Sequence, residues 1–343
     1  MKQKFDPRRP TYLMSPTPHC WRADGTEYGV VANNFRGGTN PREAGYEWLG
    51  AADQLSSKAN LAIMPCGRKP QTTFDKLYTA DAGAWSDKLK AFVLSNHSAP
   101  HRHDESEYVG HFLQKKLRLK VAGSTKSKWE GSSCMRHSPQ KTFAILGYGV
   151  RAEEASCDEI IDLFGLDPHA VVRIKMKEPH IHLDTLLASL STRDPLVVVC
   201  RSAFAEADGS GWDPDVAYEQ LLEFVSAETT SDRGQTQLHC VSSKDGYGYA
   251  TNIREDPDGH VYAPNGLSIY YSKVLKEYGY KVHPLNLPRL FWDGGGAAAC
   301  LTNDLSGAVA SGWRPPEQYL YWNVRKQIKQ EIDSYPEKQI CWN

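Results

Sequence analysis

The chain has 343 residues, of which 40% are hydrophobic and 24% are charged, as in globular proteins of one large or two ordinary domains. Lysine and arginine number 40 against 41 aspartates and glutamates, so the formal charge of −1 gives no electrostatic reason to expect nucleic acid or an anionic membrane as a partner. No run approaches the roughly 18 apolar residues of a membrane-spanning helix. The 8 cysteines are sparse and no signal peptide precedes them, which predicts reduced thiols and a cytoplasmic protein.

Short apolar segments alternate with longer amphipathic ones, which predicts a mixed α/β fold. The predicted strands are Tyr12–Met14, Tyr28–Ala32, Leu61–Met64, Lys90–Leu94, Phe143–Leu146, Val171–Met176, Leu196–Val199, Gln237–Val241, Tyr247–Thr251 and Tyr280–Pro284. The predicted helices are Arg42–Lys58, Ser106–Leu117, Cys157–Phe164, Val216–Val225 and Ser268–Tyr278. No segment between these elements has the composition of a linker, so we expect one compact domain over residues 1–310.

The remaining residues, 311–343, have a pattern of their own. After a Pro-Pro start, apolar residues recur at helical spacing from Tyr321 to Tyr335. This spacing predicts a C-terminal helix that packs on the body of the protein. A helix that binds a partner is the alternative.

Cys300 follows three glycines and three alanines, a run of small residues that leaves room for a ligand beside the sulfur. The glycines lack the lysine and the GxGxxG spacing of a phosphate-binding loop. One interpretation is a nucleophilic thiol, which requires a histidine from elsewhere in the chain; the other is a buried structural cysteine.

The segment His180–Thr185 alternates like a strand, which would project His182 and Asp184 from the same face. An imidazole beside a carboxylate forms a general acid and base with a charge partner. A hydrogen-bonded histidine at a strand end is the alternative. Asp81 and Glu130 each end an apolar segment where small residues begin, and each taken singly is more simply explained as a turn or cap residue.

Metal-ligand spacing is incomplete in this sequence. Cys134 and His137 stand close together, as do His101 and His103, but neither set has the second pair that a zinc site needs. We therefore expect no metal and no cofactor.

Taken in chain order, these segments resemble motifs of the guanidine-modifying superfamily, the penteins, which includes arginine deiminase, dimethylarginine dimethylaminohydrolase, arginine dihydrolase and the amidinotransferases. Tyr12–Pro16 is similar to the opening motif YLMCPP, and Phe74–Gly83 is similar to PDMVFTANAG. Trp129–Gly131 is similar to FEG, Gly147–Arg151 to GYGxR and His182–Thr185 to HLDT. Asp293–Thr302 is similar to SGGAAKCLT, whose cysteine is the nucleophile, and the resemblance runs collinearly from about Tyr12 to Leu305.

The resemblance implies an α/β fold, the five-bladed α/β propeller (pentein fold) of ββαβ units around a central channel. It also implies Cys300 as the nucleophile and His182 as the acid and base. Asp81, Glu130 and Asp184 would fix a guanidinium through charge-assisted hydrogen bonds.

Two substrate-binding residues come from the same resemblance. Arg102 aligns with a family arginine that holds the α-carboxylate of the substrate, and a surface arginine is the alternative. Asn33–Phe35 is what remains of an INPWM segment, which adds Asn34 to the substrate-binding residues.

These expectations combine into a hydrolase of a guanidino compound that acts through a covalent S-alkylthiouronium, most simply converting arginine into citrulline and ammonia. The dihydrolase branch has asparagine where this chain has Asp81, which argues against a second hydrolysis to ornithine; that second step is kept as an alternative. Transfer of the amidino group to an amine is another, and a non-catalytic protein that binds a guanidino ligand is a distant third. The expected partner is the small-molecule substrate, and self-association into a homo-oligomer is left open.

Overall fold

The computed structural model describes residues 4–19, 40–66, 74–137, 143–227, 229–230 and 234–336. The predicted strand Tyr28–Ala32 and the predicted substrate ligand Asn34 lie outside these ranges. Within these ranges, no helix has the length and apolar character that crossing a bilayer requires.

Five three-stranded sheets and one two-stranded hairpin are formed by the described residues. The strands are β1 (Thr11–Met14), β2 (Asn60–Ile63), β3 (Gly83–Ser86), β4 (Ala91–Leu94), β5 (Val121–Ser124), β6 (Cys134–His137), β7 (Phe143–Tyr148), β8 (Val171–Lys175), β9 (Leu187–Leu190), β10 (Leu196–Val199), β11 (Thr229–Thr230), β12 (Gly234–Gln235), β13 (Gln237–Cys240), β14 (Arg254–Glu255), β15 (His260–Pro264), β16 (Lys281–Leu285) and β17 (Asn303–Asp304). The helices are α1 (Pro41–Ser56), α2 (His103–His111), α3 (Glu154–Phe164), α4 (Pro214–Ala227), α5 (Ser243–Tyr247), α6 (Ile269–Glu277), α7 (Ser306–Ala310) and α8 (Tyr321–Asp333).

Every three-stranded sheet repeats one connection pattern. In the second blade, β4 pairs antiparallel with β3 and parallel with β5, and α2 lies in the crossover that a parallel pair requires. The pattern recurs in the third blade (β6, β7, β8), the fourth (β9, β10, β13) and the fifth (β14, β15, β16). The first blade joins distant parts of the chain, because β17 pairs antiparallel with β1 while β1 pairs parallel with β2. These ββαβ units form the five-bladed α/β propeller.

Local sequence explains where these elements begin and end. The run Leu196–Val199 is found as a strand with its predicted bounds, and all four residues are buried because they lie in the middle of a covered sheet. Asn40 caps α1 by accepting the Glu43 N–H at 3.0 Å. Gly165, at φ 65°, ends α3 in the left-handed conformation that glycine adopts without strain.

Two predicted strands are wrong. Tyr247–Thr251 falls partly in α5 and partly in turns, because the Ser242 hydroxyl accepts the Asp245 N–H at 3.1 Å and starts a helix there. His180–Thr185 contains a 3-10 turn over Leu183–Thr185, stabilised by the Thr185 hydroxyl donating to the His182 carbonyl at 2.6 Å. The other predicted elements within the described ranges agree with the observed ones apart from their ends.

The C-terminal helix α8 packs on α1. Tyr321, Ile328 and Ile332 are buried in the same apolar cluster as α1 residues, and a Cβ on Gly45 would lie 2.9 Å from the Ile332 side chain. Arg325 adds a two-point ion pair with Asp53, with both N–O distances 2.6 Å. The division of the chain at residue 310 stays a prediction.

Candidate active site

In each blade, the strand that pairs antiparallel with the central strand is called here the first strand (β17, β3, β6, β9 and β14). One polar residue lies just before each of these strands. Asp81 precedes β3, Glu130 precedes β6, Asp184 precedes β9, Asn252 precedes β14 and Cys300 precedes β17. The first strands of neighbouring blades contact one another around the axis, as β3 does with β17 and β6 with β9. The five polar side chains are therefore carried toward one central site, and all five residues are buried.

The turns that carry these residues approach closely. A Cβ on Gly131 would lie 2.2 Å from the Gly83 carbonyl oxygen and 2.5 Å from that of Ala80, so only glycine permits the Glu130 turn to lie against the Asp81 turn. The Asn303 amide donates to the Thr79 carbonyl at 2.9 Å and to the Gly83 carbonyl at 2.6 Å. Both ends of the Asp81 turn are thereby fixed to the β17 segment.

The Cys300 thiol lies between an amide and a carboxylate. Its Sγ donates to Asp184 Oδ2 at 3.2 Å and accepts from Asn252 Nδ2 at 2.9 Å. Asn252 Oδ1 also accepts the N–H groups of Ala297 and Cys300, at 3.0 and 3.2 Å, so one amide orients the backbone and the sulfur together. Burial and the charges of Asp184 and Asp81 raise the pKa of the Cys300 thiol well above its usual value. This shift favours the protonated thiol over the thiolate.

His182 and Asp184 come from the same turn and face different groups. His182 Nε2 lies 2.7 Å from Glu130 Oε2, and Nδ1 lies 3.4 Å from Asp81 Oδ1. Burial acts to lower the pKa of His182, but the two carboxylates outweigh it and raise that pKa. Burial raises the pKa of Asp184 to about 6, against the effect of His182, and Asp184 Oδ1 is buried without a hydrogen-bond partner among the described residues.

Arg102 is buried beside three acids. Its Nη1 donates to Asp81 Oδ2 at 2.7 Å and lies 3.4 Å from Glu130 Oε2, while Nε and Nη2 donate to Glu105 Oε2 at 2.9 and 2.8 Å. With 4% of its surface exposed, it is not a surface arginine. Its guanidinium is engaged by three carboxylates, and its role as a ligand for a substrate carboxylate stays a prediction.

The same contact bears on metal binding. Asp81, Glu130 and His182 bring oxygen and nitrogen atoms to within 4.8 Å of one another. Arg102 Nη1 already supplies positive charge between the two carboxylates. We assign no metal to this position.

Three residues of the site were missed from the sequence. Asn252 holds the thiol, Glu105 holds Arg102, and His97 lies beside Glu130 with 3.4 Å between Nδ1 and Oε1. The predicted residues Cys300, His182, Asp81, Glu130, Asp184 and Arg102 all fall in this buried cluster, and Asn34 lies outside the described residues. Asn252 lies just before β14, which was not among the predicted strands, so the sequence carried no signal that identified it.

A central cavity of about 390 Å³ adjoins the cluster. Its lining includes Ser132, Asp184 and Ala299, together with residues of the first strands. The Ser132 hydroxyl donates to Asp81 Oδ1 at 2.5 Å, so the cavity wall also orients the Asp81 carboxylate.

Comparisons with known proteins identify the fold. No family model matches the sequence, and no curated protein matches it. The N-terminal domain of ArgZ, an arginine dihydrolase of cyanobacteria, solved with bound product, has a TM-score of 0.69 and 20% identity, over 87% of this chain and 97% of that one. Unliganded AgrE gives 0.69 and 20% over 87% and 39%, and DDAH of Pseudomonas aeruginosa in complex with citrulline gives 0.63 and 13% over 87% and 99%.

These similarities confirm the pentein fold that the motifs implied. This chain spans about 40% of the ArgZ chain in the apo structure of that protein. It corresponds to the N-terminal domain of ArgZ, which it covers almost entirely.

Proposed function

We propose that this chain is a cysteine-dependent hydrolase of a guanidino compound, most simply one that converts arginine into citrulline and ammonia. One observation carries the proposal: the Cys300 thiol contacts Asp184 Oδ2 at 3.2 Å, while the other oxygen of that carboxylate is buried without a hydrogen-bond partner in the described part of the chain. A guanidinium N–H would pair with that oxygen and place its carbon beside the sulfur.

Binding of the substrate prepares the nucleophile. A guanidinium is a cation, and a positive charge beside Sγ favours the thiolate over the thiol. Asp184 Oδ2 is placed to accept the thiol proton, because a carboxyl whose pKa is about 6 exchanges protons readily near neutral pH. Asn252 Nδ2, at 2.9 Å, donates to the sulfur and stabilises the negative charge that forms.

The first half-reaction expels ammonia. The Cys300 thiolate adds to the guanidinium carbon and forms a neutral tetrahedral adduct. The carboxylates of Asp81 and Glu130 favour the protonated form of His182. His182 gives its proton to an NH₂ group, the C–N bond breaks, and ammonia leaves. The carbon remains bound to sulfur as an S-alkylthiouronium cation.

The second half-reaction releases the product. Neutral His182 takes a proton from water, whose oxygen adds to the thiouronium carbon. The C–S bond then breaks, the sulfur recovers a proton from the new hydroxyl, and a ureido compound is formed. The thiol proton that Asp184 accepted is taken up by the ammonia released in the first half-reaction, which leaves as ammonium, so the starting charges are restored.

The proteins of similar fold support this chemistry. ArgZ is an arginine dihydrolase, and a variant of its N-terminal domain was solved covalently bound to a reaction intermediate. DDAH was solved with citrulline, a ureido compound. At 20% and 13% identity the substrate is not transferable, so we base the proposal for this chain on its own cysteine, histidine and acids.

Product analysis by mass tests the proposal. The purified chain and its Cys300→Ser variant are incubated with arginine, methylarginines, agmatine and guanidino acids, each with and without glycine. We expect the wild type, and not Cys300→Ser, to form a ureido product and ammonia. A new guanidino product that needs glycine, formed from arginine together with ornithine, would mean amidino transfer. Ornithine formed from arginine without glycine would mean a second hydrolysis. Equal product from the variant, or none from either protein with every substrate, would refute the proposal.

A further inference from the structure

A second histidine lies buried behind the proposed acid and base. His97 has a fully buried side chain, and neither of its ring nitrogens has a hydrogen-bond partner among the described residues. Two acceptor atoms beside it, Glu130 Oε1 and Glu105 Oε1, are also buried without a hydrogen-bond partner among the described residues. Buried polar atoms without partners are rare in folded proteins, and each needs an explanation.

The backbone places His97 between these two acids. Asn96 and Trp129 pair as an isolated antiparallel bridge, with N–O distances of 2.9 and 3.1 Å, so that His97 and Glu130, the next residue along each segment, are diagonal neighbours across it. His97 Nδ1 lies 3.4 Å from Glu130 Oε1, and Nε2 lies 3.9 Å from Glu105 Oε2. A shift of a few tenths of an ångström would bring Nδ1 to an ordinary hydrogen-bond distance.

Glu130 therefore faces a histidine on each side. His182 Nε2 lies 2.7 Å from Oε2, and His97 faces Oε1. Among the described residues, Arg102 lies 3.4 Å from Oε2 and Arg151 lies 3.9 Å from Oε1. A carboxylate oxygen of Asp81 also lies within 4.8 Å of this carboxylate.

We propose that His97 is a positioning residue, whose imidazole donates to Glu130 Oε1 and so fixes the carboxylate that controls how tightly His182 holds its proton. The inference rests on the proposed function, in which His182 first gives up a proton and then takes one from water.

The sign of the effect follows from the contacts. The Glu130 carboxylate draws a proton onto His182, together with Asp81 at 3.4 Å and the nearby Asp184. A donor on the other oxygen of Glu130 takes up part of its negative charge. Without that donor His182 holds its proton more tightly, which makes it a weaker acid in the first half-reaction.

Two variants of His97 separate the donor from the packing. His97→Phe fills the space without a donor, whereas His97→Gln keeps an N–H for Glu130. For His97→Phe we expect the pKa of His182 to rise by about one unit, kcat to fall about tenfold and KM to change less than about threefold. His97→Gln is expected to stay within about threefold of the wild-type kcat, with the pKa of His182 almost unchanged.

The pKa is followed by NMR of the protein labelled at histidine Cε1, with the His182 resonance identified from its loss in His182→Gln. An unchanged His182 pKa in His97→Phe, or equal shifts in the two variants, would overturn the inference. If the phenylalanine variant does not fold, His97→Met provides the donor-free case. The titration needs no turnover, so it gives its answer even if the chain hydrolyses no guanidine.

Discussion

Replacing Arg102 by methionine separates the predicted role of this residue from the observed one. As a ligand for a substrate carboxylate, Arg102 would matter for KM and little for stability. In the structure its guanidinium compensates Asp81, Glu105 and Glu130, all buried. The variant would leave these acids buried without their cation.

The expected loss follows from those contacts. Removing one partner of a buried ion pair costs about 3–5 kcal/mol, since the remaining charge is left desolvated and unpaired. Burial already raises the pKa of Glu105, so this acid would take up a proton in the variant and limit the loss. We therefore expect Arg102→Met to lower the free energy of unfolding by about 3 kcal/mol at pH 7.

Urea unfolding monitored by circular dichroism measures the loss. Arg325→Met is the matched control, because it also breaks a two-point arginine–carboxylate pair, but one whose side chains are 43% and 40% exposed. That change should cost no more than about 1 kcal/mol. Millimolar guanidinium chloride should restore part of the stability of Arg102→Met by entering the vacated space, and equal sodium chloride should not.

The reasoning fails if Arg102→Met loses less than the Arg325→Met control. It also fails if guanidinium stabilises the two variants equally, because the cation would then have no vacated site in either one.

Three further outcomes are expected. Cys300→Ser should abolish turnover while the circular dichroism spectrum stays unchanged, and undiminished activity would reject the nucleophile. The folded-state pKa of Asp184, about 6, lies above its ordinary value of 3.8, so the folded state binds the extra proton between these values and loses stability as pH rises through them. The free energy of unfolding of Asp184→Asn, relative to that of the wild type, should therefore increase from pH 4 to pH 6 in urea titrations. An equal difference at both pH values would contradict this. Asn252→Ala should slow alkylation of Cys300 by chloroacetamidine at pH 8 by at least about fivefold, because the thiolate loses a donor, and an unchanged rate would show that the amide does not stabilise it.

Much of the fold was predictable because buried strands and helices have recognisable apolar patterns in the sequence. Leu196–Val199 is a continuous β-branched and aliphatic run, and the chain forms a strand there with the predicted bounds. Tyr247–Thr251 contains two tyrosines and a threonine, which are common in strands, but it follows Ser242, whose hydroxyl caps a helix. The polar cap outweighed the apolar pattern there, and the same error at His180–Thr185 arose from the Thr185 hydroxyl contact.

The site could be predicted from the sequence only in part, because only some of its residues belong to recognisable motifs. Cys300, His182 and the acids belong to short motifs that recur in proteins of one fold, so their meeting could be expected from the resemblance. Asn252 belongs to no motif that we recognised. It takes its place from the repeated architecture alone, because each blade delivers the residue before its first strand to the axis.

The direction of Arg102 depends on contacts that no motif contains. Its guanidinium can reach either inward to acids or outward to a ligand, and the choice depends on how much negative charge lies buried nearby. Glu105, three residues later on α2, turns back onto Nε and Nη2, and with Asp81 and Glu130 it makes three acids. A cluster of that charge is stable when buried only with a cation inside it, so the inward position follows from all these residues together and could not be predicted from the arginine motif by itself.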